Sequence, residues 1–294
     1  MDLVVSQVFN GLSVGSILLL AALGLALTFG QMGVINMAHG ELMMAGAYTA
    51  YVANLIVANA GVSLLLAVPL GFLVGGLLGL LLEMTLLRRL YQRPLDSLLV
   101  TWGVSLILQQ AARDIFGSAG VDVPAPTWLS GPVQVLGFNF PKTRLFILVL
   151  ALAAVAALSL VLRFTSLGRR IRATVQNRPL AECSGVSTRA TDRLTFFIGS
   201  GLAGLAGVAL TLMGSISSNL GTTYLIDAFL VVVVGGLGQI RGAVLAAFVL
   251  GVGQASIEYS TTASLAKVVV FALIIAFLQV RPQGIFALRT RSLA

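Results

Sequence analysis

The chain has 294 residues, of which 58% are apolar and only 10% charged. Soluble domains carry about a quarter charged residues, so this composition all but excludes a soluble enzyme and points to a bundle of membrane helices. The net charge of +8 rests on 16 arginines and two lysines against ten acidic residues. The arginines cluster between apolar runs, as expected of cytoplasmic loops, and no basic, aromatic-laced surface calls for nucleic acid. A single cysteine, Cys183, allows no internal disulfide. A single histidine, His39, rules out a metal site built from several His and Cys ligands.

In chain order, the first apolar run, 8–29, follows no basic segment and is long enough to span. It reads as a retained helix rather than a cleaved signal. A polar, glycine-flanked break follows at 30–41. The next runs are 42–58, 62–87 and 95–112, with Arg88, Arg89 and Arg93 closing the second of them. Residues 113–142 are polar and carry four prolines and Trp128, which points to a rigid surface loop. After the run 145–162 comes the most basic stretch, 163–193, with seven arginines against Glu182 and Asp192. Four more runs follow: 194–216, 225–240, 242–257 and 263–280. A spanning helix needs about 20 residues. The two 16-residue runs on either side of Gly235, Gly236 and Gly238 therefore read as short or broken helices.

The expected architecture is an all-α integral membrane protein. It has about eight transmembrane helices, with short or broken helices near 30–41 and 235–242, in one domain over 1–294. The arginine clusters, including Arg281, Arg289 and Arg291 in the tail, place the loop at about 163–193 in the cytoplasm and the loop at about 113–142 outside.

No catalytic constellation is present, and no G-x-x-x-x-G-K-[ST] loop for nucleotide phosphates. Two clusters carry the functional reading. Gln31, Asn36, His39 and Glu41 fall within eleven residues between apolar runs. Ionisable groups at membrane depth mark a path or relay, whereas the plain alternative is a solvated turn. Asn10, Gln109 and Asp227 are further polar groups within apolar runs and join the candidate substrate path. In the basic loop, Ala173, Asn177, Ala181 and Gly185 recur every four residues. Asn177 suits an N-cap, Pro179 the first turn and Gly185 the residue past the end. These signals predict a short capped helix over 178–184, either as a docking element or as part of a loop that only sets topology.

At these residues the chain resembles a known family. Residues 33–41, Gly-Val-Ile-Asn-Met-Ala-His-Gly-Glu, followed by Gly46-Ala47-Tyr48, are similar to the permeases of branched-chain amino-acid type ABC transporters. Ala173-x3-Asn177-x3-Ala181-x3-Gly185 resembles their coupling loop. Residues 227–238 and Arg281-Pro282-x-Gly284 also match, so the likeness covers essentially the whole chain. Within that family the wording of 36–44, 101–110 and 128–131 looks like the urea permease branch. Pro179 and Cys183 stand where the resemblance leads one to expect alanine-like residues.

The resemblance implies an inner-membrane permease subunit, itself without ATPase activity, that moves urea by alternating access. Its implied partners are a second homologous permease, two ATP-binding subunits that hold ATP and Mg²⁺, a periplasmic substrate-binding protein and membrane lipid. It implies no cofactor in this chain and coupling through Ala173, Asn177, Ala181 and Gly185. Branched-chain amino acids or short amides are the alternative substrates. A channel or secondary transporter acting alone is the alternative of another class, and it has no need of a docking helix.

Overall fold

The computed structural model describes residues 2–91, 93–135 and 138–286. Arg289 and Arg291 lie outside the described residues. Each of the nine apolar runs becomes one helix. In order these are α1 (Asp2–Met32), α2 (His39–Ile56), α3 (Ala60–Thr85), α4 (Pro94–Phe116) and α5 (Lys142–Phe164). Two short helices, α6 (Ser166–Gln176) and α7 (Arg178–Cys183), fill the basic loop. The second half holds α8 (Thr188–Leu210), α9 (Leu220–Gly235), α10 (Ile240–Ser260) and α11 (Ala263–Val280). The loop at 113–142 is not wholly irregular. Pro132–Val135 (β1) and Phe138–Pro141 (β2) pair as an antiparallel hairpin, and Val121 bridges to Ile216.

Among the described residues, six helices are long and apolar enough to cross a membrane: α1, α3, α5, α8, α10 and α11. The protein is a multi-pass helical membrane protein. Of the other three, α9 has 16 residues, α2 opens on His39 and Glu41, and α4 carries Asp96, Arg113 and Asp114 at its ends. The expectation of two short helices around 235–242 holds for α9 and fails for α10. That helix has 21 residues, because its first turn takes in Ile240 and Arg241, and its last turn runs on through Glu258 to Ser260.

Helices α1 and α8 are buried nearly all round, whereas α3, α5, α10 and α11 leave most of their surface exposed. A helix that is apolar on every side belongs inside the bundle. The two central helices run antiparallel, since Gln31 at the end of α1 meets Asp192 near the start of α8. They cross at Gly24 and Gly199, where a Cβ on either residue would fall on the other's backbone. Small residues allow such close approach in membranes.

The packing repeats around this crossing. Helix α3 lies along α8 as α10 lies along α1, and α2 contacts α8 and α3 as α9 contacts α1 and α10. The first three long helices of each half, α1–α3 and α8–α10, therefore pack in the same pattern, an internal repeat of the kind common in transporters.

The breaks after α1 and α8 shape the interior of the bundle. His39 Nε2 donates to the Ala21 carbonyl at 3.2 Å. Ala21 stands eleven residues before the end of α1, about 16 Å along the axis at 1.5 Å per residue. The chain at 33–38 thus turns back into the bundle and α2 begins deep inside it. Helix α9 begins beside it, because Gly40 and Gly221 touch backbone to backbone. Two half-helices start from the same place.

The crossing is testable. Gly199→Leu should destabilise the protein by about 2 kcal/mol or more, since overpacking alone costs about 1–3 and here a Cβ would meet both the Thr28 side chain and the Gly24 carbonyl. Gly103→Leu, at a site open to 4 Å, should change little. Thermal unfolding in detergent measures both, and equal melting temperatures would remove the crossing as a constraint.

Candidate functional site

The break at 33–38 is held by its own side chains and by α4. Asn36 Oδ1 accepts the Ala38 N–H at 3.0 Å, and the Met37 N–H donates to Thr101 Oγ1 at 3.1 Å. Asn36 is buried and shapes the turn. His39 is buried with its ring against α1. Glu41, in the first turn of α2, is completely buried. Its Oε1 accepts from Ser105 Oγ and from Gln109 Nε2, both at 2.9 Å, and Gln109 also reaches Ser105 Oγ at 3.1 Å. Its Oε2 has no hydrogen-bond partner.

The structure thus joins Asn36, His39, Glu41 and Gln109 at the start of α2. It places the other two candidates elsewhere. Asn10 bonds to Arg144 of α5, and Asp227 of α9 pairs with Lys267 of α11 at 3.2 Å. Near the latter pair the helices leave only a slit, lined in part by Leu18, Gln254 and Phe271.

Sequence reasoning missed Ser97, Thr101 and Ser105, which are buried with Gln109 on one face of α4. Their signal was legible. Polar residues at 97, 101, 105 and 109 recur every four positions, which puts them on one side of a helix. A cleft also opens where α8 ends and α9 begins. Met213, Ser217, Leu220, Thr223 and Tyr224 line it.

In the basic loop the capped helix forms as expected. Asn177 Oδ1 accepts the Leu180 N–H at 3.0 Å, and Pro179 sits in the first turn. At the other end Val186 N–H bonds to Ala181 O and Gly185 N–H to Glu182 O, with Gly185 at φ 81°. That pair of bonds with a left-handed residue is the Schellman ending. One part of the reading is corrected. Ala173, Asn177, Ala181 and Gly185 do not form one outward face. Ala181 is buried within the chain, while Leu180 and Cys183 are exposed. The four-residue spacing runs from α6 through a cap into α7, so no single helix carries it.

The family model for the permease component of the branched-chain amino acid transport system matches residues 7–278. The chain belongs to this family. The permease is 32% identical over 291 residues to the high-affinity branched-chain amino acid transport system permease protein LivH of Salmonella typhimurium. The match covers 95% of this chain and 94% of that one. It is 31% identical over 292 residues to BraD, a permease protein of the same description from Pseudomonas aeruginosa, covering 95% and 94%. The ribose import permease protein RbsC of Escherichia coli is 25% identical over 291 residues, covering 92% and 84%. No solved structure matches. The permease is an inner-membrane transport component and not an enzyme.

The Glu41 cluster makes a stability prediction. Gln109→Leu takes a donor from a buried carboxylate and should cost about 1–3 kcal/mol. Glu41→Leu with Gln109→Leu together should cost clearly less than the sum of the two single changes, because the second change removes the group that the first left unsatisfied. A double-mutant cycle by thermal unfolding gives the answer, and strict additivity would mean that the two side chains do not depend on each other.

Proposed function

We propose that this permease is the membrane subunit of an ATP-driven importer of branched-chain amino acids. The observation that carries the reading is the near full-length similarity to permeases described as high-affinity branched-chain amino acid transport proteins. That observation favours branched-chain amino acids over urea, which the wording of 36–44 and 101–110 had put first. Urea stays as the second reading, supported by the neutral hydroxyl and amide groups of Thr101, Ser105 and Gln109.

The paired breaks at 33–38 and 211–219 suit alternating access, because discontinuous helices that meet inside a bundle are where transporters bind and gate. Asn36, His39, Glu41 and Gln109 line the inner part of the path in this reading. The cleft at the start of α9 is its mouth. The basic end, with α6 and α7, faces the cytoplasm, and the hairpin end faces outward. Two ATP-binding subunits with ATP and Mg²⁺, a second permease and a periplasmic binding protein complete the importer. The exposed Leu180 and Cys183 of α7 are the docking face, and Asn177 and Gly185 hold that helix in shape.

Three measurements bear on this. Leucine uptake at low concentration should fall at least tenfold on deletion of the gene, with urea uptake unchanged; the opposite result installs urea. In a Cys183→Ala background, Trp128→Cys and Arg169→Cys should label from opposite sides of the membrane. Labelling of both by one impermeant reagent in intact spheroplasts sinks the topology. Leu180→Arg should weaken capture of the ATP-binding subunits by an order of magnitude, about 1.4 kcal/mol, while the permease accumulates normally. Arg189→Ala, at an exposed site, should be mild. Wild-type capture by Leu180→Arg would leave α7 as a topology-setting loop.

A further inference from the structure

At the basic end of the bundle, several elements converge on one carboxylate. Asp192, near the start of α8, is fully buried. Its Oδ1 accepts from Gln31 Nε2 at 2.9 Å, and its Oδ2 pairs with the Arg178 guanidinium. Gln31 is the second-last residue of α1, just before Gly33 opens the break at φ 65°. Arg178 is the first residue of α7. One buried side chain therefore ties α7 to the last turn of α1.

The cluster extends further. The Arg178 guanidinium lies 5.5 Å from the centre of the Tyr91 ring and pairs with Glu182 at 3.7 Å. Tyr91 donates to Glu83 Oε1, near the end of α3, at 2.7 Å. Burial, and then the bond to Glu83, hold the Tyr91 phenol well above its ordinary pKa, so it remains a donor.

Part of the cluster is only half made. Glu83 Oε2 and Arg193 Nε lie 3.9 Å apart, too far for a hydrogen bond, and neither has another hydrogen-bond partner. Gln31 Oε1 is also unbonded. Buried polar atoms rarely stay unpaired. An approach of about 1 Å would turn the Glu83–Arg193 pair into a hydrogen bond. A cluster with spare donors and acceptors has a second arrangement within reach, as switching interfaces require.

We propose that Asp192 is the positioning residue that passes movement of α7 to the end of α1, and so to the break that seats Glu41. It rests on the reading of α7 as the docking helix. The two oxygens of Asp192 serve two different helices. A shift of Arg178 pulls the carboxylate, and the carboxylate pulls Gln31. Two residues beyond Gln31 the chain enters 33–38, where Met37 is bonded to Thr101 and Asn36 sets the turn into α2. Asparagine has one acceptor oxygen in place of two, so Asp192→Asn keeps at most one of the links at full strength.

The test uses the complex purified from its host's membranes through a tag on this chain. It is reconstituted in proteoliposomes with its binding protein, and leucine uptake and ATP hydrolysis are measured together. Asp192→Asn should assemble with its partners and hydrolyse ATP within about twofold of wild type, yet deliver about tenfold less leucine per ATP. Arg178→Ala should do the same. The double variant should be no worse than either single one, as for residues in one linkage. Arg178→Lys, which keeps the charge, should recover part of the yield. An unchanged yield in assembled Asp192→Asn, or losses that multiply in the double variant, would overturn the proposal. Should Asp192→Asn fail to accumulate, Gln31→Met becomes the deciding variant, with the same loss expected and a wild-type yield overturning it. A wild-type complex that carries urea and not leucine counts against the substrate reading alone, and the yield is then measured with urea.

Discussion

Two chain breaks lie inside the bundle, and the rest of the structure depends on how their backbone is satisfied. In a bilayer an exposed N–H or C=O has no water to turn to, so irregular backbone survives only where protein surrounds it or a cavity hydrates it. The break at 33–38 meets that constraint with its own Asn36, with Thr101 from α4 and with the carbonyl of Ala21 through His39. Those partners fix where α2 begins. The place where α2 begins sets the depth of Glu41 and the meeting of Gly40 with Gly221.

Much of this was legible in the sequence. Charge and apolar runs located every long helix, because a membrane helix announces itself by length and composition alone. The capped helix at 178–183 was readable from Asn177, Pro179 and Gly185, since caps and endings are local chemistry. The break at 30–41 stood out by its polar residues. The start of α10 was misjudged because Arg241 reads as a loop charge, while in the fold it sits in a helical first turn next to the basic end. Gly235 and Gly242 touch backbone to backbone there and close the connection tightly.

The long-range pairings were hidden. Asn10 and Asp227 are polar residues in apolar runs and Glu41 ends a polar break, yet nothing local says which of the three meets Gln109. The fold does, by giving Asn10 to Arg144 and Asp227 to Lys267 while it brings Gln109 to Glu41. The buried state of Ala181 was hidden for a related reason. Its spacing to Asn177 and Gly185 looks like one helical stripe, but α7 is too short to have a free face on every side, and the chain itself covers that one.

The residue chosen at position 178 reflects the number of partners it must hold at once. Its guanidinium meets Asp192 on α8, Glu182 one turn along α7 and the face of Tyr91 beyond α3. A planar fork with several donors and an aromatic-compatible face can serve all three, whereas an ammonium group is a point charge. Asp192 lies on a helix that continues into the bundle interior, Tyr91 is tied to the end of α3 through Glu83, and Glu182 lies on α7 itself. The guanidinium therefore cannot follow α7 without straining its ties to α8 and to Tyr91. Asp192 carries the strain one step further because it is buried, with no water to take the place of a lost partner, and a buried charge left unpaired is costly. Burial makes the linkage stiff, and that stiffness lets a helix of six residues at the basic end act on the break through which the chain turns back into the bundle.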